Sequence, residues 1–358
     1  MKNWDRLKKF GKRLLKPESA PHPAPKVSTS NTASLSIQLT DLPNPKFDWS
    51  KDRIAIATHD EHNLLWLARK DPKTKGVYRD LMAHDYVLYM HAKGRSYLIK
   101  RPLVGHIWER TDLHQGGETF YTIQEPLPNK QNQLGPMRLA VVFSSMPPAA
   151  DYYSSNLAKR MFVQNYPSLP KHLLKNTVIL RIIDLNRNAG SYYMNTANYP
   201  TFETDVQQII QAVMDKFQID PDNVVLYGGS KGGSGALLHA IIGNYHGVVV
   251  DPIFNQTPYW QAQADLHYLQ GILPEKLLPL YQQLLDTHPN TREITIIGSA
   301  QVQDNYAEYI KLKSNSIRIL TVRDEHIKVH PDVSANTMIE QVTAMNHYLI
   351  NSPKYLRD

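Results

Sequence analysis

Val224-Val225-Leu226-Tyr227-Gly228-Gly229-Ser230-Lys231-Gly232-Gly233, followed by Ala236-Leu237-Leu238-His239-Ala240-Ile241-Ile242, is the stretch whose reading decides the fold. Four apolar or aromatic residues make a short buried strand. The glycines force a sharp turn, and an apolar helical pattern starts at once. Gly228, Ser230 and Gly232 occupy the three fixed places of G-x-S-x-G, a nucleophile elbow. Such a turn needs strained dihedrals to push the serine hydroxyl outward, and small neighbours so that strand and helix can pack around it. The helix beginning just after Ser230 aims free N–H groups and its positive dipole end at an oxygen that becomes negative during acyl transfer. Two rival glycine-rich loops fail on spacing. A phosphate-binding P-loop needs Gly-Lys followed by Ser or Thr, but Lys231 follows Ser230 and precedes Gly232, and G-x-G-x-x-G does not fit here either.

Outward from the elbow, strands and helices alternate from residue 138 on, as in a mostly parallel sheet. Strands are expected at Arg138–Phe143, Thr177–Ile183, Gly247–Val250, Glu293–Ile297 and Ser316–Val322. Glu203–Phe217 places Val206, Ile209, Ile210, Val213, Met214 and Phe217 on one helical face. Further helices are expected over Pro274–Thr287 and Ser334–Ile350, the latter with Ser334 as N-cap. The expected fold is α/β-hydrolase-type: a mostly parallel sheet flanked by helices over residues 131–358, preceded by a small β-rich region over 36–130. That region carries a helical stretch at Asn63–Ala68 and strand-like runs at Tyr86–His91, Ser96–Lys100 and Thr119–Ile123. Its aromatic residues are read as core packing, with a carbohydrate groove as the alternative.

The chain has 358 residues and no cysteine, which excludes disulfides, thiolate metal sites and a cysteine nucleophile. No run of about 18 apolar residues spans a membrane. Of the 40 Lys and Arg and 33 Asp and Glu, residues 1–16 hold seven cations and one acid, which leaves the rest at 33 against 32. The body is nearly neutral, so nucleic acid is not an expected partner. Residues 1–16 instead space Trp4, Leu7, Phe10, Leu14 and Leu15 as a basic amphipathic helix. It is suited to an anionic membrane surface, or it is a solvated tail. A Pro/Ser-rich linker covers 17–35.

A serine hydroxyl needs a base, and the base an orienting acid, in the chain order serine, acid, histidine. Asp304, in the loop after Glu293–Ile297, is the first choice for the acid. Asp251, directly after Val250, is the alternative, for an acid placed one strand earlier. His326 and His330 both stand between the last strand and the last helix. His330, nearer that helix and followed by Pro331-Asp332, is favoured. His239 and His246 follow the elbow too closely to serve and are read as structural. No paired histidines at i, i+4 with a carboxylate suggest zinc. The oxyanion hole is expected from the backbone N–H of Lys231 and of Ser145, the latter within one residue, in the loop Phe143-Ser144-Ser145-Met146-Pro147-Pro148. The Lys231 side chain either holds an anionic group or faces solvent.

The elbow GGSKGG-x-GALL, the loop VFSSMPP and the segment Ala189-Gly190-Ser191-Tyr192-Tyr193-Met194-Asn195 together resemble the bacterial capsular-polysaccharide biosynthesis proteins of the α/β-hydrolase class, a group that includes capsule O-acetyltransferases. Asp304-Asn305-Tyr306 and His330-Pro331-Asp332 fall in matching order, and the resemblance covers residues 138–350. Lys70-Asp71-Pro72 through Tyr97 resembles longer members. The chain departs from the compact members in its long N-terminal region, and in Val329 where a glycine is expected before His330. The resemblance implies transfer of acetyl from acetyl-CoA, through an acetyl-serine on Ser230, to a hydroxyl of a capsular or other surface polysaccharide. The alternatives are a carbohydrate esterase or deacetylase with the same triad, and a non-catalytic capsule-assembly protein. The expected location is cytoplasmic, at the inner membrane face where capsule machinery works, with residues 1–16 as the contact.

Overall fold

The structure, a computed structural model, describes residues 35–288 and 290–350. The basic helix expected over 1–16, and all of the 17–35 linker except Leu35, lie outside the described residues.

Eight strands form the larger sheet: β5 (Leu113–Gly116), β6 (Thr119–Gln124), β7 (Arg138–Phe143), β8 (Thr177–Ile182), β9 (Val224–Gly229), β10 (His246–Val250), β11 (Ile294–Gly298) and β12 (Ile317–Thr321). Their order is β12-β11-β10-β9-β7-β8-β6-β5. The run from β12 to β8 is parallel throughout, and β6 and β5 close one side antiparallel. This is an α/β-hydrolase-type sheet. Its central strands are apolar on both faces because helices cover both. On one face pack the helices Phe202–Phe217, Lys231–Gly243 and Leu278–Thr287, and on the other the helix Met338–Ile350. The helix after the elbow is buried from Lys231 through Ile241, which explains a sequence apolar on all sides rather than along one stripe.

A second, four-stranded sheet holds β1 (Ile37–Asp41), β2 (Arg53–Ala57), β3 (Tyr86–Ala92) and β4 (Arg95–Lys100) in the order β1-β2-β4-β3. The helices Leu64–Ala68 and Pro72–Ala83 pack on it through Leu64, Leu65, Tyr78, Leu81 and Met82. The second of these starts on an Asp71 cap that accepts from Thr74 N–H, with Pro72 in the first turn. The β-rich region expected over 36–130 is therefore divided, since β5 and β6 extend the large sheet and Tyr121 of β6 sits opposite Ile182 of β8.

The two sheets share packing. Val87 and Ile99 of the small sheet join Phe120, Ile183 and Leu185 in one apolar cluster. Arg160 is fully buried and donates to the carbonyls of Leu88, Asn188 and Ser154, three separate segments. Arg101 pairs with Asp85 and Glu118 and lies 3.6 Å over the Tyr199 ring.

The closing helix expected over Ser334–Ile350 is two helices, His330–Ala335 and Met338–Ile350, broken at Asn336 and Thr337. Ser334 lies inside the first instead of capping the second.

Candidate active site

Parallel strands present their carboxyl ends on one rim of the sheet, and the chain direction across the sheet reverses beside β9 and β7. Ser230 directly follows β9, Ser144 follows β7 and Asp251 follows β10. Three adjacent strand ends therefore converge on one place.

Ser230 sits at φ 55° and ψ −123°, far from the helical values of the residues after it. Its N–H donates to Val250 O at 2.9 Å, which leaves the side chain to project from the turn. The two motif glycines make that turn possible. A Cβ on Gly228 would lie 2.1 Å from Gly232 O, and one on Gly232 would lie 2.3 Å from Phe143 O. No side chain fits at either position.

The Ser230 Oγ is 2.8 Å from Nε2 of His330, and His330 Nδ1 is 2.6 Å from Oδ2 of Asp251. Asp251 is 2% exposed and itself at φ 38°. Its other oxygen, Oδ1, accepts a 2.8 Å bond from the Tyr309 hydroxyl. Burial, reinforced by the Asp251 carboxylate, pushes the Tyr309 phenol far above its ordinary value, so it remains a donor. His330 opens its helix, and Asp332 holds the approach by accepting from Lys328 N and Val329 N at 2.9 and 3.0 Å. Val329 is extended, at φ −136°, so the expected glycine is not needed there.

Asp304, the expected acid, does not meet His330. It is exposed in the first turn of the helix Gln303–Tyr309, at the edge of the same cleft. The reason is the path of the chain after β11. After the turn that follows Gly298, Asp304 lies on the exposed side of that helix, while Asn305 and Tyr309 face inward, Tyr309 onto Asp251. The acid on His330 comes from one strand earlier, as the weighed alternative has it. His326 is also off the site, 71% exposed and bonded to Asp324 at 2.9 Å.

Ser145 lines the cleft, and its N–H has only a 3.4 Å contact with Asn165 Oδ1. The neighbouring Ser144 N–H is committed to the Tyr193 hydroxyl at 2.7 Å, so of the two serines Ser145 is the freer donor. The Lys231 side chain does not face solvent. It is fully buried, 3.0 Å from Asp184 Oδ2, and donates to Ala189 O at 2.9 Å. Burial lowers the affinity of its amine for a proton, and the Asp184 carboxylate opposes that. Asp184 also accepts from Ser191 N and Tyr192 N, so the pair anchors the segment 189–194 beneath the elbow. Neither Tyr309 nor Asp184 carries a motif that sequence reading could have used. His239 bonds Tyr193 O and Gln207, and His246 bonds Glu293 O and stacks on Tyr348; both are structural. Burial pushes His239 down to about 4, so it stays neutral.

Ser230, Asp251 and His330 line a cleft of about 1140 Å³ whose walls include Tyr152, Tyr153 and Tyr259. A half-buried base between a strained serine and a twice-bonded carboxylate has the arrangement for taking up and returning a proton.

No family model matches the chain, and no curated protein matches it. Among solved structures it is similar to the glycosylation-associated protein complex (Gap123) of Streptococcus agalactiae, with TM-score 0.50 and 15% identity over 73% of this chain and 50% of that one. This chain thus spans half the length of that neighbour. It is also similar to the capsule O-acetyltransferase of Neisseria meningitidis serogroup A, with TM-score 0.45 and 16% identity over 67% and 94% of the two chains. A variant of that enzyme has been solved in complex with CoA. A third likeness is to fluorophosphonate-binding serine hydrolase F of Staphylococcus aureus, with TM-score 0.43 and 14% identity over 67% and 96%. At these identities the likenesses concern the fold.

Proposed function

We propose that the protein is a serine-dependent acyltransferase that moves an acetyl group from acetyl-CoA to a hydroxyl of a surface polysaccharide. The observation that carries the acyl-transfer chemistry is the hydrogen-bonded series Ser230–His330–Asp251 in the floor of a large cleft. Ser230 Oγ attacks the acyl carbonyl carbon while its proton passes to His330 Nε2. The bond to the leaving group breaks, and His330 returns the proton to that group. An ester on Ser230 remains. An acceptor hydroxyl then gives its proton to His330 and attacks the ester, and Ser230 recovers its hydrogen. Asp251 holds the imidazole and stabilises its charged form within each half-reaction, while His330 carries the proton. The Lys231 and Ser145 amides are the proposed donors to the developing oxyanion. The acetyl donor and polysaccharide acceptor rest on the resemblance of the elbow, the VFSSMPP loop and the 189–195 segment. The cleft is roomy for a sugar chain, and its tyrosines offer ring faces on which sugars stack.

The test is thiol release from acetyl-CoA, with and without a panel of capsular polysaccharides, for wild type and Ser230→Ala. With no cysteine in the chain, a thiol-reactive dye has no protein background. Acceptor-dependent release that disappears in the variant is the expected result. Ser230-dependent release indifferent to every polymer would turn the reading to hydrolysis. No release, together with a Ser230 inert to a fluorophosphonate, would overturn it.

A further inference from the structure

His267 takes no part in the scheme above, yet it lines the same cleft as Ser230 and His330 and is 2% exposed. Its Nδ1 lies 2.7 Å from the Tyr192 hydroxyl, and its ring stacks on Tyr259 at 4.2 Å between centroids. Among the described residues, the Tyr192 hydroxyl has no other hydrogen-bond partner. A buried phenol whose one partner is an imidazole nitrogen places its hydrogen only by donating to it. Nδ1 is therefore the acceptor, and in the neutral ring the hydrogen sits on Nε2. Among the described residues, Nε2 has no hydrogen-bond partner. Burial, with Lys231 and His330 adding to it, pushes this histidine down to about 3. It is thus a neutral donor near pH 7 and cannot act as a second base.

The backbone that carries it is built to hold one position. Ala264, Asp265 and Tyr268 all have positive φ, at 48°, 54° and 57°. Strained residues of this kind persist where the surroundings hold them. Here three cations from the small sheet's side do so. Arg69 donates to the carbonyls of Gln263 and Ala264, Lys75 to that of Ala264, and Arg79 to that of Gln270 and to the Asp265 carboxylate. The Asp265 Oδ1 accepts from Leu269 N and Gln270 N, closing the turn from inside.

We propose that His267 is a specificity-determining residue of this site, whose Nε2–H donates to an oxygen of the alcohol half of the substrate. It favours an alcohol with further hydroxyls over a plain one. The inference rests on the acyl-transfer reading above. Because the alcohol occupies the same place whether it leaves an ester or attacks the acyl-serine, the contact is measurable in ester cleavage alone. The full chain would be assayed with glycerol monoacetate and with propyl acetate, for wild type, His267→Phe, His267→Gln and Tyr192→Phe. Phenylalanine keeps the ring against Tyr259, and glutamine keeps an N–H donor near the Nε2 position. The expected result is a fall of about tenfold in the ratio of kcat/KM for glycerol monoacetate over propyl acetate in His267→Phe, the size of one lost hydrogen bond. Recovery of most of that ratio is expected in His267→Gln, and a partial fall in Tyr192→Phe, where the ring is free to change tautomer. Thermal melting and fluorophosphonate uptake by Ser230 of each variant show that the elbow is intact. An unchanged ratio in a folded, labelled His267→Phe would overturn the inference and leave the triad standing. Equal loss on both esters in all three variants would make His267 a packing residue and also overturn it. A wild-type Ser230 that never takes the fluorophosphonate would instead defeat the acyl-transfer reading itself.

Discussion

Asp251 has both oxygens occupied, by His330 Nδ1 and by the Tyr309 hydroxyl, and this sets it apart from the exposed Asp304 on the same cleft. Asp251→Asn is expected to lower kcat about 10⁴-fold by presenting the wrong partner to the imidazole. Asp304→Asn is expected to cost less than about tenfold, and steady-state kinetics on a chromogenic acetyl ester separate the two. Lys231 and Asp184 form a pair with both side chains fully buried. Lys231→Met leaves the carboxylate without its cation and is expected to destabilise the fold by about 3–5 kcal/mol. The double variant Lys231→Met with Asp184→Asn is expected to recover part of this, as read from urea unfolding of both. Residue identities of this kind were only partly legible in the sequence. The serine and histidine stand at places that order and motif define. The choice between Asp251 and Asp304 depends on how one turn leaves β11, and neither periodicity nor composition encodes that path.

The elbow and the His330 helix are the two elements whose local geometry brings serine and base together. At the elbow, Gly232→Ala drives a Cβ into the Phe143 carbonyl and is expected to cost about 3 kcal/mol, seen as a lowered denaturation midpoint. At the other element, Asp332 restrains the turn ahead of His330 through two backbone N–H groups. Asp332→Ala is expected to reduce kcat about tenfold through a displaced imidazole, and Asp332→Asn, which keeps an acceptor oxygen, to restore much of it. Elements were the most legible level. β7, β8 and the helix Phe202–Phe217 could be read because each is a long apolar or 3.6-periodic run. β5, with the sequence Leu113-His114-Gln115-Gly116, has no such pattern, and it exists because β6 offers it an antiparallel edge. β1 is drawn into place in the same way by its parallel pairing with β2.

At the scale of the whole molecule, buried titratable groups bound the pH range of stability. Burial pushes His267 down to about 3 and His239 down to about 4, from 6.5 in the unfolded chain. Below pH 6.5 the unfolded chain takes up protons that the folded one refuses, so stability present above that pH is lost as pH falls. Two such groups remove on the order of 2.7 kcal/mol per pH unit. On the alkaline side Tyr192, Tyr193, Tyr281 and Tyr309 are fully buried and pushed above their ordinary value of 10, chiefly by burial. Above pH 10 the unfolded chain releases protons that the folded one keeps, and stability is lost at about 5 kcal/mol per unit. Melting temperatures between pH 4.5 and 11 are expected to show a plateau near neutrality that falls at both ends, more steeply at the alkaline end.

Ser230 and the histidine hydrogen-bonded to it are 100 residues apart in the chain, and the acid between them follows the next strand. At the usual pace of synthesis, on the order of 5–20 residues per second, the nucleophile leaves the ribosome 5–20 seconds before its base. Through that interval the nascent chain carries a serine with no means of acylating itself. The proposed reaction can begin only when the last strands have docked and His330 has swung onto Asp251. Reactivity of Ser230 toward a fluorophosphonate is therefore also a clock for the completion of folding, and stalled chains of increasing length would read it out.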